Sequence, residues 1–303
     1  MNFEEFKGYI QDNILEYLPE RYQDADVVMN RVVKNNDTAL DGMNIFSGHS
    51  GVTPTIYLNA VYEQYQDGRD VDQIVGNLAD QFVEIMGQEV PFNVSQLFDY
   101  EDVKDRIVCR LVNRESNAER LSNAPFTTLE DLAVTYHVMV SQDENSIGSL
   151  MITNDLMKGY GVDLDTLHQQ AMENMPKLSP IDFRTLNEVM MDMMTPSFAE
   201  ENGIDLDEAE EMVKKMVDTQ DVPDIYCLTN VGKINGAAVI LNPETQEYIS
   251  DRLGGDYFIL PSSVHELLVV GVQEGMEYEE LQSMVQEVNQ NCVSPDEILS
   301  DQD

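Results

Sequence analysis

Residues 132–155 read LAVTYHVMVSQDENSIGSLMITND, and this stretch decides the fold class. Leu132–Val140 and Ile147–Ile152 are rich in β-branched and aromatic residues, and the polar loop QDENS separates them. That pattern predicts an antiparallel hairpin. Thr153-Asn154-Asp155 then supplies cap residues that open a helical region. The same order of hairpin, polar cap and helix returns from Ile225. There, Ile225–Thr229 and Ala237–Leu241 flank VGKING as a second expected hairpin. Asn242-Pro243-Glu244 begins a helix with proline in its first turn, running to Gly254-Gly255. Short hairpins interleaved with helices define an α+β protein, with helices packed on short, mostly antiparallel sheets in two closely apposed units.

Working outward, Phe3, Phe6, Ile10, Ile14, Tyr17 and Leu18 recur at helical intervals until Pro19. The period then falls to two. Asp26–Lys34, Leu40–Phe46 and Thr55–Leu58 read as strands, with a turn at Asn35-Asn36-Asp37 and a loop bracketed by Gly48 and Gly51. Val71–Met86 is helical again, capped by Asp70 and stopped by Gly87. This gives an N-terminal αβββα unit over residues 1–102. The remainder, 103–303, is expected as a second α+β unit with two hairpin–helix modules. It opens with a strand at Ile107–Asn113 and a turn-like stretch to Pro125. It continues with a helix at Asp163–Met175, bounded by Pro176 and Pro180. Met190, Met191, Met193 and Met194 follow an apolar helical pattern closed by Pro196 and are read as core filler. Ala209, Met212, Val213, Met216 and Val217 share one face of an acidic amphipathic helix. Two strands, Tyr257–Leu260 and Leu267–Val270, and a helix at Tyr278–Asn289 close the chain.

The charge excludes more than it identifies. Fifty-seven acidic side chains face 17 basic ones, a formal net charge of −40 over 303 residues. Such a chain does not neutralise a nucleic-acid backbone, nor does it dock on an anionic membrane leaflet. It suits a basic protein partner, or serves solubility through self-repulsion. A hydrophobic content of 42% places it among folded proteins. The three cysteines, Cys109, Cys227 and Cys292, are far apart and form no CxxC. That argues against a disulfide framework or a zinc site. Cys109 and Cys227 lie in apolar runs and read as buried thiols. The N-terminal MNFEEFKGYI is not a signal peptide, and no apolar run approaches 18 residues. A reduced, cytoplasmic, soluble protein is expected; oligomeric state is not readable.

The sharpest chemical candidate is Pro261-Ser262-Ser263-Val264-His265-Glu266. On an extended strand Ser263 and His265 share a face, a nucleophile type beside a general-base type. Glu266 points to the other face and cannot orient that imidazole, and no GxSxG elbow is present. The plainer reading is a proline-broken turn whose hydroxyls satisfy backbone. A zinc-protease motif fails because Val269 stands where the second histidine is required. His49, His137 and His168 fall in a loop, a strand and a helix. Asp163 and Asp205 sit where helix caps belong, which explains them without calcium. SGHSG and LGGD lack the lysine of a phosphate loop, so no cofactor and no metal is expected.

The segments TNVGKINGAAVILNPE, GDYFILPSSVHELLVV and VQEVNQNCVSPDEILSD carry a family likeness, as do PTIYLNAVYEQYQDG and LEDLAVTYHVMV. Together they resemble DUF5688, a family of acidic cytoplasmic proteins from anaerobic Gram-positive bacteria, over roughly Met1 to Asp301. PSSVHE and EILSD are its most specific parts. The resemblance implies fold boundaries and a compartment but transfers no activity and no functional residue. The functional expectation is therefore a non-catalytic accessory or protein-interaction role. The alternatives are a hydrolase-like enzyme centred on Ser263 and His265, and a nucleic-acid mimic occupying a basic protein. Eleven acids and no Lys or Arg follow Arg252, the densest support for a basic partner.

Overall fold

In a computed structural model of the chain, the described residues are 1–47, 53–87, 94–142, 147–217, 225–261, 263–272, 283, 286, 289 and 293–301. They divide into two units, Met1–Phe98 and Asp99–Asp303. His49, Ser262, Cys292, the loop between Gly48 and Gly51, and all but three residues of the helix expected at Tyr278–Asn289 lie outside the described residues.

The first unit begins with a capping box. Asn2 Oδ1 accepts from the Glu5 amide, and Glu5 Oε2 accepts from the Asn2 amide, each at 2.9 Å. Helix α1 (Phe3–Tyr17) then buries Phe6, Ile10 and Ile14, one every four residues. Strands β1 (Asp26–Val33) and β2 (Ala39–Phe46) pair antiparallel from Asp26↔Phe46 to Val33↔Ala39. Asn36 and Asp37 make the turn with φ of 53° and 48°, a region short polar side chains tolerate. Strand β3 (Ile56–Tyr57) completes the order β1-β2-β3. Helix α2 (Asn59–Gln66) has no counterpart in the sequence reading. It buries no residue fully and is held by ring contacts of Tyr62 and Tyr65 with Phe6, at 5.2 and 5.3 Å. Helix α3 (Val71–Gly87) starts on Asp70, whose carboxylate accepts the Asp72 and Gln73 amides. Its Ile74, Leu78 and Phe82 meet α1, Met43 and Ile45 in the core, so the order is αβββαα.

The second unit opens with α4 (Tyr100–Val103), β4 (Ile107–Asn113), α5 (Ala118–Leu121) and β5 (Phe126–Leu129). The expected hairpin is present as β6 (Leu132–Gln142) and β7 (Ile147–Met151). β6 is the spine of this sheet and pairs antiparallel with β4, β5 and β7. Next come α6 (Asn154–Tyr160), capped by Thr153, and α7 (Leu164–Leu178), capped by Asp163. Pro176 lies inside the last turn of α7 rather than at its boundary. Asn174 on α7 donates to the carbonyls of Lys104 and Ile107 at 2.7 and 2.9 Å, fixing the helix on β4.

The remaining elements are β8 (Ile181–Thr185), α8 (Leu186–Asn202), α9 (Leu206–Val217), β9 (Ile225–Asn230), α10 (Pro243–Leu253), β10 (Tyr257–Leu260) and β11 (Leu267–Gly271). They form an antiparallel sheet of order β10-β11-β9-β8. The chain is thus α+β, with small antiparallel sheets.

Two expectations are corrected. The hairpin over Ile225–Leu241 has only its first arm: Gly236–Leu241 is a buried 3-10 turn, and β9 pairs with β8 and β11 instead. The cause is a close approach. A Cβ on Gly236 would stand 2.6 Å from both Asn230 N and His265 O, and Asn235 reaches this point with φ of 52°. The chain therefore turns inward, and the Ala237 amide donates to Val264 O at 3.2 Å. The methionine cluster is only partly packed: Met190 and Met191 are half-buried, and Met193 and Met194 are not core. α8 continues through Pro196, its buried residue is Ala199, and Met193 and Met194 are 70% and 39% exposed. Those methionines lie more than a quarter turn from the Ala199 side of the helix, so packing on that side leaves them in water.

Candidate functional site

The turn between β10 and β11 carries the expected Ser263 and His265. The structure brings them together through backbone. Ser263 Oγ accepts from the His265 amide at 3.0 Å, while Thr229 Oγ1 donates to the His265 carbonyl at 2.7 Å. The imidazole is engaged elsewhere. Its Nδ1 accepts from the Asn235 amide at 3.1 Å, which places the ring proton on Nε2. Nε2 lies 3.3 Å from Glu297 Oε1. Ser263 is buried, and it forms an isolated antiparallel bridge with Ile298. An imidazole activates a hydroxyl only when its free nitrogen reaches it; here the ring holds an amide and a carboxylate.

Glu297 is the carboxylate that sequence spacing did not find, because 32 residues separate it from His265. Glu266, the adjacent candidate, instead accepts from Cys227 Sγ at 3.5 Å. Burial, with Glu266 beside it, pushes the Cys227 thiol up to about 12, and burial alone does the same for Cys109. Both are free and buried. The segment around Glu297 is a strap. The Val264 amide donates to Glu297 O at 2.9 Å and the Ser300 amide to Pro261 O at 2.9 Å. Asn113 of β4 donates to Leu299 O at 3.1 Å, and Ser300 Oγ donates to Asp131 at 2.6 Å. The strap thereby joins both sheets of this unit.

Between those sheets lies a cleft of about 800 Å³. Leu111, Val134, Ile240, Ile259 and Leu267 form its apolar walls. His168 of α7 supplies a polar edge. Its Nδ1 lies 2.9 Å from Tyr136 Oη, which lies 2.7 Å from Thr127 Oγ1. Tyr136 is fully buried, and burial raises its phenol to about 12, so this hydroxyl stays protonated at neutral pH. Among the described residues no three His, Cys, Asp or Glu side chains gather as a metal set. No helix among them is long and apolar enough to cross a membrane.

The largest exposed apolar side chains of this unit's helices are on α8 and α9, which pack against each other. Met193 and Met194 project from α8. Leu206, Met212 and Met216 of α9 are 58%, 40% and 52% exposed, while Ala209 and Val213 face inward. The same helices carry Asp207, Glu208, Glu210 and Glu211 on α9 and Glu188 and Asp192 on α8, the last paired with Arg184, while Lys214 and Lys215 lie between Met212 and Met216.

The fold defines the chain as α+β, two units with small antiparallel sheets. The sequence matches the model of a family of unknown function (DUF5688) over residues 3–303, so the chain belongs to that family. No curated protein and no solved structure matches it. PSSVHE and EILSD, the stretches most specific to the family likeness, meet in space through Ser263↔Ile298 and the His265–Glu297 contact.

Proposed function

We propose that this protein has a non-catalytic accessory role in the cytoplasm, exercised by binding a basic, partly apolar segment of another protein on α8 and α9. The observation that carries this reading is the exposure of Met193, Met194, Leu206, Met212 and Met216 on two helices whose acids outnumber their lysines. Methionine is flexible and polarisable, which suits a surface that adapts to a partner. The acidic excess, in a chain of net charge −40, selects a basic partner by charge complementarity. The nucleic-acid mimic draws less support. Asp70, Asp99, Asp163 and Asp205 each accept a helix N-terminal amide, so these acids are used as caps rather than as a phosphate-like row.

The test uses defined probes. Calorimetric titration of the full chain with an amphipathic Lys/Leu helical peptide should give saturable binding that weakens with salt. A variant carrying Met193→Ser, Met212→Ser and Met216→Ser should lose about tenfold or more in affinity. Equal binding by the variant, or equal binding of a Glu/Leu peptide with the same apolar spacing, would sink the proposal.

A further inference from the structure

We propose that the cleft between the two sheets of the second unit binds a small apolar molecule carrying one uncharged hydrogen-bonding group, of the class of medium-chain or aromatic alcohols. Strand register builds its walls. On β6, Leu132, Val134 and Tyr136 share a face, and Leu111 of β4 and Thr127 of β5 both stand opposite Val134. On the other sheet, Ile259 of β10 stands opposite Val269 of β11, so it shares a face with Leu267 two residues away. The opposite face of that sheet has its own apolar cluster around Leu260 and Val270. The strap borders the cleft, because Asp131 and Pro261 line it and each is bonded to Ser300.

Size and chemistry select the occupant. Protein interiors leave few voids larger than a water molecule, whereas about 800 Å³ stays open here. That volume lies within the range of about 300–1,000 Å³ that holds a small ligand. Leu111, Val134 and Leu267 are buried, so an apolar occupant gains dispersion contacts and apolar burial that water in the cleft does not supply. Among the described residues lining the cleft there is no Lys or Arg, whereas Glu130 and Asp131 are present. A carboxylate or phosphate head therefore meets like charge, in a chain of net charge −40. A cationic head gains little. Asp131 already accepts from Ser300, and Glu130 is exposed, where an ion pair contributes little.

His168 sets the uncharged head. Its Nδ1 is taken by Tyr136 Oη at 2.9 Å, and Tyr136 is bonded in turn to Thr127 at 2.7 Å, which fixes the ring. Among the described residues Nε2 makes no hydrogen bond. If Tyr136 donates to Nδ1, Nε2 carries the ring proton and donates to the ligand; if Nδ1 donates to Tyr136, Nε2 accepts. A hydroxyl serves either arrangement, because it both donates and accepts.

The experiment is displacement of the neutral fluorescent probe N-phenylnaphthylamine from the full chain by octanol, octanoate and octylammonium, below their micelle concentrations and at constant ionic strength. Calorimetry with octanol gives the stoichiometry. The expected result is one saturable site, with octanoate and octylammonium weaker than octanol by about tenfold or more. Leu129 lines the cleft and is 41% exposed, so Leu129→Trp should fold, fill the space and weaken octanol by about tenfold or more. His168→Phe keeps an apolar wall and removes the partner of the hydroxyl, and should weaken octanol about fivefold. If His168→Phe does not fold, the order of head groups and Leu129→Trp decide. Absence of a saturable site overturns the proposal. So does octanoate or octylammonium binding as tightly as octanol, or Leu129→Trp or folded His168→Phe binding as wild type.

Discussion

Gly236→Ala is the sharpest test of why the chain turns inward after β9. The added methyl would lie 2.2 Å from Thr229 Oγ1 and 2.6 Å from Asn230 N and His265 O. The threonine can rotate, but it then gives up its 2.7 Å bond to His265 O, costing about 1 kcal/mol. The two backbone atoms belong to a sheet strand and a tied turn. Restoring ordinary contact requires them to back away by about 0.8 Å, an overpacking cost of about 1–3 kcal/mol. Against this, alanine restricts the unfolded chain and returns about 0.4–1 kcal/mol. The expected net loss is about 2–3 kcal/mol, a fall in Tm of about 5–10 °C for a unit near two hundred residues. Urea unfolding followed by far-UV circular dichroism, with calorimetric melting, measures both. Gly159→Ala is the matched control. It lies inside α6 with nothing within 4 Å of a new Cβ, and should be neutral or stabilising by up to about 1 kcal/mol. A Gly236→Ala midpoint within about 0.5 kcal/mol of wild type would refute the close-approach argument.

Three further outcomes follow from buried polar groups. Asn174→Ala leaves the Lys104 and Ile107 carbonyls without their donor and should cost about 2–4 kcal/mol in urea unfolding; Asn174→Asp, which also cannot donate, should cost no less. In a Cys292→Ser background, Cys109 and Cys227 should resist iodoacetamide at pH 8 and react only after denaturation, because burial keeps both thiols protonated; mass spectrometry of the adducts decides it. His137 is neutral when folded. Below pH 6.5 the unfolded chain binds a proton that the folded chain refuses, so stability should fall as pH drops. His137→Gln should remove up to about 1.4 kcal/mol of that loss per pH unit, and a wild-type and variant pair with parallel pH profiles would contradict the assignment.

The elements readable in the sequence are those fixed by local pattern. The β6–β7 hairpin, α3 with its Asp70 cap and α7 with its Asp163 cap depend on neighbours within a few positions. The elements missed depend on distant ones. VGKING carries every local sign of a hairpin turn, but the partners that hold Gly236 and Ala237 are the carbonyls of His265 and Val264. The methionines of α8 have helical spacing, and spacing cannot say which side of a helix finds a neighbour. The same limit governs the candidate site. Ser263 and His265 were visible as residue types, whereas Asn235 and Glu297, which hold the ring, lie 30 and 32 positions away. Arg110 and Arg120 each look ordinary in IVCRLVN and AERL. Strand register sets Arg110 beside His137, and the placement of α5 brings Arg120 to the same face.

The strap at 297–300 has a consequence for the timing of folding. Its bonds to Asn113 and Asp131 span 186 and 169 residues of sequence. Contacts of such separation close last, because the entropy of loop closure is lost before they form. The first unit, complete by Phe98, has its own core of α1, the β1–β2–β3 sheet and α3, and a unit of this kind folds while the rest is still being synthesised. The second unit completes the strap between its two sheets only once residue 300 has emerged. Until then the amide of Val264 and the carbonyl of Pro261 lack their strap partners, and the turn that carries Ser263 and His265 is untied.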